Sequence, residues 1–179
     1  MSKHITIKKG QFLQRRGDLT SKIYYVKSGL LRSYTIDEKG KEHIFLFAPE
    51  DWIISDYLPS NEPTDLFIDA LEDTVAIALE KEVSDTADIK KLLKRMYVLQ
   101  KRVIMLMSST AITRYEHFVS TYPQMVQRVP QKMIASYLGI TPEALSNVKK
   151  QFLLKAYTKL CFTEIFSTII SLFTSNTVK

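Results

Sequence analysis

Between Thr141 and Lys150 the chain gathers two hydroxyls, a carboxylate, an amide and two amines, on Thr141, Glu143, Ser146, Asn147, Lys149 and Lys150. An asparagine amide matches the N6/N7 edge of adenine, a glutamate accepts from cytosine N4, and lysines neutralise phosphates. That set reads a polyanion rather than making or breaking bonds. The other reactive types are scattered. His4, His43 and His117 stand apart, and Cys161 is the single cysteine. No triad, P-loop or acid-base pair emerges, so no catalytic residue, metal or cofactor is assigned. Between residues 42 and 80 there are ten carboxylates and no Lys or Arg.

The elements that must carry the reading residues are two short amphipathic helices. In the first, Met133, Ile134, Tyr137 and Leu138 fall on one buried face, and Ala135 is small where a second helix crosses. Gly139 stands where the chain must turn through a left-handed backbone, and Ile140 plugs the junction. The second helix is predicted to start with Thr141 as N-cap, Pro142 at its first position and Glu143 at the positive end of the dipole. Leu145 and Val148 then face inward, which leaves Thr141, Pro142, Glu143, Ser146, Asn147 and Lys150 outward. This spacing is that of a helix-turn-helix, whose second helix enters a major groove.

Upstream, four of the five glycines, Gly10, Gly17, Gly29 and Gly40, separate short segments rich in β-branched and aromatic residues. Residues 5–7, 22–27, 30–36, 43–47, 64–70 and 74–79 read as strands of a small roll, with a hairpin turn at residues 37–40. From residue 85 the period becomes helical. Ile89, Leu92, Met96, Leu99, Val103 and Leu106 alternate spacings of three and four, the seam of a helix that dimerises. Helix continues through residues 114–121 to the Tyr122-Pro123 breaker, and a short helix precedes Pro130. The expected fold is α+β: an N-terminal jelly-roll-like β-roll (1–84), a long dimerisation helix and connector (85–122), and a helix-turn-helix domain (123–179). Beyond Lys155 an apolar stripe of Phe162, Ile165, Phe166, Ile169, Ile170 and Phe173 suggests a terminal tail helix packed on the DNA domain or across a dimer.

The chain has 179 residues and a net charge of +6, with hydrophobic residues at 45%, which is globular. Residues 1–80 carry 10 basic and 13 acidic side chains, and residues 81–179 carry 15 and 6. Only the second half therefore seeks a polyanion. The first residues have positive charge but no apolar run behind it, and no stretch is long enough to span a bilayer. A cytoplasmic protein without a membrane partner is expected.

In order and spacing the chain resembles the Crp/Fnr bacterial transcription regulators. The matching residues are Lys9-Gly10, Gly17-Asp18, Tyr24-Tyr25-Val26-Lys27-Ser28-Gly29-Leu30-Leu31-Arg32, Asp37-Glu38-Lys39-Gly40, Phe47-Ala48-Pro49-Glu50-Asp51-Trp52, Ala70-Leu71-Glu72-Asp73, Arg114-Tyr115 and the run from Val129 to Ser146. The resemblance implies a cyclic-nucleotide-binding-like roll, a dimer helix and a homodimer that binds double-stranded DNA, with an unidentified small effector. Two departures stand out. Where cyclic-AMP-binding members carry Gly-Glu and Arg-Ser or Arg-Thr pairs, this chain has Ser55-Asp56 and Pro63-Thr64-Asp65-Leu66-Phe67. Where many members carry recognition-helix arginines, it has Pro142 and Asn147. Cyclic nucleotide binding of the usual kind is therefore not expected, and the DNA site should depend less on guanine. The alternatives are a dimeric interaction or ligand-binding module with a non-functional helix-turn-helix, and a cupin-like metal protein. For the second, the isolated His43 in the roll falls short of the about three histidines and a carboxylate that a metal set needs.

Overall fold

The computed structural model describes residues 2–19, 21–58, 62–81 and 89–174; for residues 2, 89–95 and 159–174 it describes only the course of the backbone. Among the described residues, eight strands make two four-stranded antiparallel sheets. One is ordered β1 (Ser2–Ile7), β8 (Thr74–Glu80), β3 (Lys22–Ser28), β6 (Ile53–Ile54). The other is ordered β2 (Phe12–Gln14), β7 (Phe67–Ala70), β4 (Leu31–Ile36), β5 (Glu42–Ala48). The expected hairpin joins β4 to β5, with Ile36 opposite Glu42 and Gly40 at φ +75° in the turn. The strands β2 and β6 are too short to leave a periodic signal, and the sequence reading missed both.

Strand alternation explains how one sheet serves two cores. On β5, Ala48 faces the space between the sheets with Ile7, Val26, Leu31, Ile54, Ile68 and Ala76. Its neighbour Phe47 points the other way and joins Leu30, Tyr34 and Ile44 beneath the helices. That second core continues without interruption into Phe118, Tyr122, Met125, Ile134, Leu138, Leu145 and Val148. Phe47 lies 5.5 Å from the Tyr137 ring and 6.4 Å from that of Phe118. Each such side chain contributes roughly 1.5 to 3 kcal/mol by leaving water, so the roll and the helices are held by shared burial rather than by a linker.

Among the described residues five helices follow: α1 (Ile89–Ser108), α2 (Ala111–Thr121), α3 (Met125–Arg128), α4 (Gln131–Leu138) and α5 (Pro142–Thr174). The helix read as continuous from residue 85 is interrupted. Thr110 is an extended N-cap whose hydroxyl accepts from the Thr113 N–H, so α2 starts anew with its own cap. Residues 85–88 lie outside the described residues. The C-terminal reading also changes: the recognition helix and the tail are one helix of 33 residues. Ala, Leu, Lys and Gln follow Lys150 with no Gly or Pro, so nothing stops the helix where the motif ends.

Candidate nucleic-acid interface

The helix-turn-helix forms as its residues dictate. Gly139 caps α4 at φ 66°, ψ 35°, and the Ile140 N–H returns to the Ala135 carbonyl at 3.0 Å, closing the turn. The Thr141 hydroxyl accepts from the Ala144 N–H at 3.2 Å and caps α5. Leu145 and Val148 are buried, and Ile140 packs on the same core half-buried. Thr141, Pro142, Glu143, Ser146, Asn147 and Lys150 are exposed on one side of α5, while Lys149 is half-buried. Hydrogen bonds from its own backbone N–H and from Thr141 hold the Glu143 carboxyl below its ordinary value, so it is ionised in the first turn. Thr141 thus spends its oxygen on the cap, whereas Ser146, Asn147 and Lys150 present open side chains.

Side chains that the sequence reading did not single out hold this motif against the roll. Ser136, on the outer side of α4, accepts from the Ile44 N–H at 3.0 Å and donates to the Glu42 carbonyl at 2.7 Å. A helix hydroxyl thereby completes the backbone of a strand edge. Arg32 is 6% exposed; its Nε and Nη2 donate to Asp69 at 2.8 and 2.9 Å, its Nη1 to Glu42 at 2.6 Å, and Nη1 also meets the Met133 sulfur at 3.7 Å. Burial opposes its charge, and the two carboxylates outweigh that penalty and hold its pKa above the ordinary value. Arg128 donates to Glu50, Glu72 and the Gly29 carbonyl. Arg114 donates to the carbonyls of Leu106, Ser109 and Leu138, tying the break between α1 and α2 to the end of α4. Arg32, Arg114 and Ser136 fall within stretches of the matching sequence pattern, whereas Arg128 does not.

On the helix read as a dimer seam, Met96 and Val103 are 58% and 54% exposed, and Leu99 and Leu106 are half-buried. Tyr97, Ile104 and Met107 extend the same apolar surface, Met107 at 81% exposure. The side chains of Ile89 and Leu92 lie outside the described residues. Behind α1, Arg102 donates to the Phe45 carbonyl and stacks 4.1 Å over the Tyr137 ring. Beside it an apolar cavity of about 570 Å³ is lined by Phe45, Trp52, Tyr97, Tyr122 and Tyr137.

Asp56 is 3% exposed, and its carboxylate accepts from the N–H groups of Leu58, Asp65 and Leu66 at 2.9 to 3.1 Å. Among the described residues, no cluster of three or more His, Cys, Asp or Glu is arranged to hold a metal, and His43 instead pairs with Asp37 at 2.7 Å. No helix among them is long and apolar enough to cross a membrane.

Residues 4–86 match the family model described as cyclic nucleotide-binding domain. The chain is 33% identical to the anaerobic regulatory protein of Haemophilus influenzae, over 82% of this chain and 65% of that protein. It is 28% identical to the fumarate and nitrate reduction regulatory protein of Vibrio cholerae, over 82% and 67%. The chain thus spans about two thirds of the length of these relatives. In fold it is similar to FixK2 from Bradyrhizobium japonicum, with a TM-score of 0.68 at 18% identity over 87% of this chain and 86% of that one. A Crp/Fnr-family transcriptional regulator from Thermus thermophilus superposes with a TM-score of 0.65 at 15% identity, over 87% and 88%. The fold and site define a class: an antiparallel roll of the cyclic-nucleotide-binding type joined to a helix-turn-helix. Within that class, the chain is similar to the Crp/Fnr regulators, in its roll and in the order of its elements.

Proposed function

We propose that the chain is a homodimeric, DNA-binding transcription regulator. The exposed face of α5 carries the reading: an αL glycine, a capped start and two buried plugs project Ser146, Asn147 and Lys150 outward together. The regulators among its relatives favour the same role. Homodimerisation runs through the exposed apolar stripe of α1, which water otherwise covers at Met96, Val103 and Met107. The test is binding of the whole chain to random-sequence duplex DNA, followed by fluorescence anisotropy as salt is raised. Micromolar affinity falling steeply with salt is expected. No binding at low salt overturns the reading and favours a protein-interaction module.

The roll, in this reading, does not take a cyclic nucleotide in the usual way. Asp56 already occupies three inward N–H groups, and a phosphodiester brought beside it would meet like charge with no Lys or Arg between residues 42 and 80. Isothermal titration with cyclic AMP and cyclic GMP should give no heat of binding; micromolar binding of either refutes it.

A further inference from the structure

The β4–β5 hairpin stands against the reading head, and its charges are sorted. Asp37 accepts from the N–H groups of Lys39 and Lys41 at 2.9 and 3.0 Å and pairs with His43 at 2.7 Å. Glu42 turns inward to Arg32 at 2.6 Å. Two of the hairpin's carboxylates are thus spent on the hairpin itself and on a buried guanidinium. Lys39 and Lys41 remain exposed at the tip, with Glu38 the one exposed carboxylate there. Between this tip and the helix-turn-helix lies a half-open cleft of about 570 Å³. Its walls include Lys39 and Lys41 on one side, Lys132 on α4, and Thr141 and Pro142 at the start of α5.

The two walls cannot drift apart freely. Ser136 hydrogen-bonds the backbone of Glu42 and Ile44 at the foot of the hairpin, and Arg32 bridges Glu42 to Met133. The hairpin and the reading helix therefore present three amines and a helix N-terminus around one opening. A phosphodiester strand meets amines and N-terminal N–H groups favourably.

We infer that the roll's β4–β5 hairpin is a second DNA-contacting element, in which Lys39 and Lys41, with Lys132 across the cleft, clamp the phosphate strand flanking the groove that α5 enters. The inference rests on the DNA-binding reading above, and it adds a contact from the roll to one from the helix-turn-helix. The roll then senses or stabilises bound DNA directly, because the hairpin that touches the backbone is continuous with β4 and β5.

The salt dependence of random-duplex binding separates the two statements. The variant Lys39→Ala/Lys41→Ala is compared with Lys3→Ala/Lys27→Ala, which removes the same charge from β1 and β3 of the opposite sheet. If the hairpin clamps phosphates, the slope of log K against log salt should shrink by about 2 for each subunit engaged, about 4 for the homodimer, in the first variant and stay near the wild-type value in the second. An unchanged slope in the hairpin variant, or equal losses in both, overturns the clamp while DNA binding stands. Failure of the wild type to bind overturns the DNA-binding reading itself, and the clamp falls with it.

Discussion

Arg128, the last residue of α3, reaches 78 positions back along the chain to Glu50, its Nη1 and Nη2 donating to the two carboxylate oxygens at 2.9 and 3.0 Å. Glu72 takes Nε and Nη2 from the other side, and the Gly29 carbonyl accepts as well. A planar guanidinium fits two carboxylates in a fixed geometry that lysine does not reproduce. This one side chain fastens the segment entering the helix-turn-helix to the roll.

Loss of that fastening should show a defined pH window. The Arg128 guanidinium draws the Glu50 carboxyl down from 4.5 to about 2, so the pair stabilises the fold fully above pH 4.5 and progressively less as pH falls toward 2. Arg128→Ala should lower stability by about 1 to 3 kcal/mol near neutral pH, discounted because Glu50 remains 41% exposed to screening water. Chemical denaturation across pH should find the gap between wild type and variant closing in acid. A gap independent of pH would mean that the pair contributes nothing ionic.

Two of the positive-φ glycines, Gly139 and Gly29, make a graded prediction. An added Cβ at Gly139 meets only ordinary contacts beyond 3.6 Å, so Gly139→Ala should cost the αL strain alone, about 1 to 2 kcal/mol. At Gly29, φ is +93° and the Cβ would lie 2.5 Å from the Asp73 carbonyl oxygen, a backbone atom that cannot swing aside. Gly29→Ala should be the more damaging of the two in thermal melts, and it should loosen Arg128 with it.

Ser136→Ala removes a hydroxyl that both accepts and donates. It should cost about 1 to 3 kcal/mol because the Ile44 N–H and the Glu42 carbonyl both lose their partner. Hydrogen exchange at Ile44 reads this directly. Unchanged protection there would show that the helix-turn-helix does not complete the strand edge.

For base reading, Asn147→Ala should lose about 1 to 3 kcal/mol at a single base position. Lys150→Ala should weaken all sequences alike and flatten the salt slope. A uniform loss from Asn147→Ala in a competition series would take that residue out of the base readers.

On α1, Val103→Asp with Met107→Asp places two charges on exposed positions, so the monomer's helix content should not change. Sedimentation should nonetheless show the dimer replaced by monomer. A wild-type chain that sediments as a monomer removes the α1 interface.

How much of this was legible depends on how local each signal is. The helix-turn-helix was read almost residue by residue, because Gly139, Thr141, Pro142 and the plugs Leu145 and Val148 act over a few positions. The hairpin at Asp37 to Gly40 was legible for the same reason. Arg128, Ser136 and Arg32 were not, since their partners lie 78, 92 and 37 positions away and no local period marks them. The break at Thr110 is unmarked because no glycine or proline separates the seam ending at Leu106 from the helix read through residues 114–121. The continuity of α5 carries no local mark, because neither glycine nor proline stands between the motif and the tail.

That continuity makes α5 a lever. At 1.5 Å per residue its 33 residues form a rod about 50 Å long. Leu145, Val148 and Phe152, with Lys155 on Glu116, grip it near one end and act as a fulcrum. No glycine or proline interrupts it from Glu143 onward to serve as a joint. Asn147 lies inside the gripped stretch, so the angle at which its face meets a groove is tied to the axis of the whole rod.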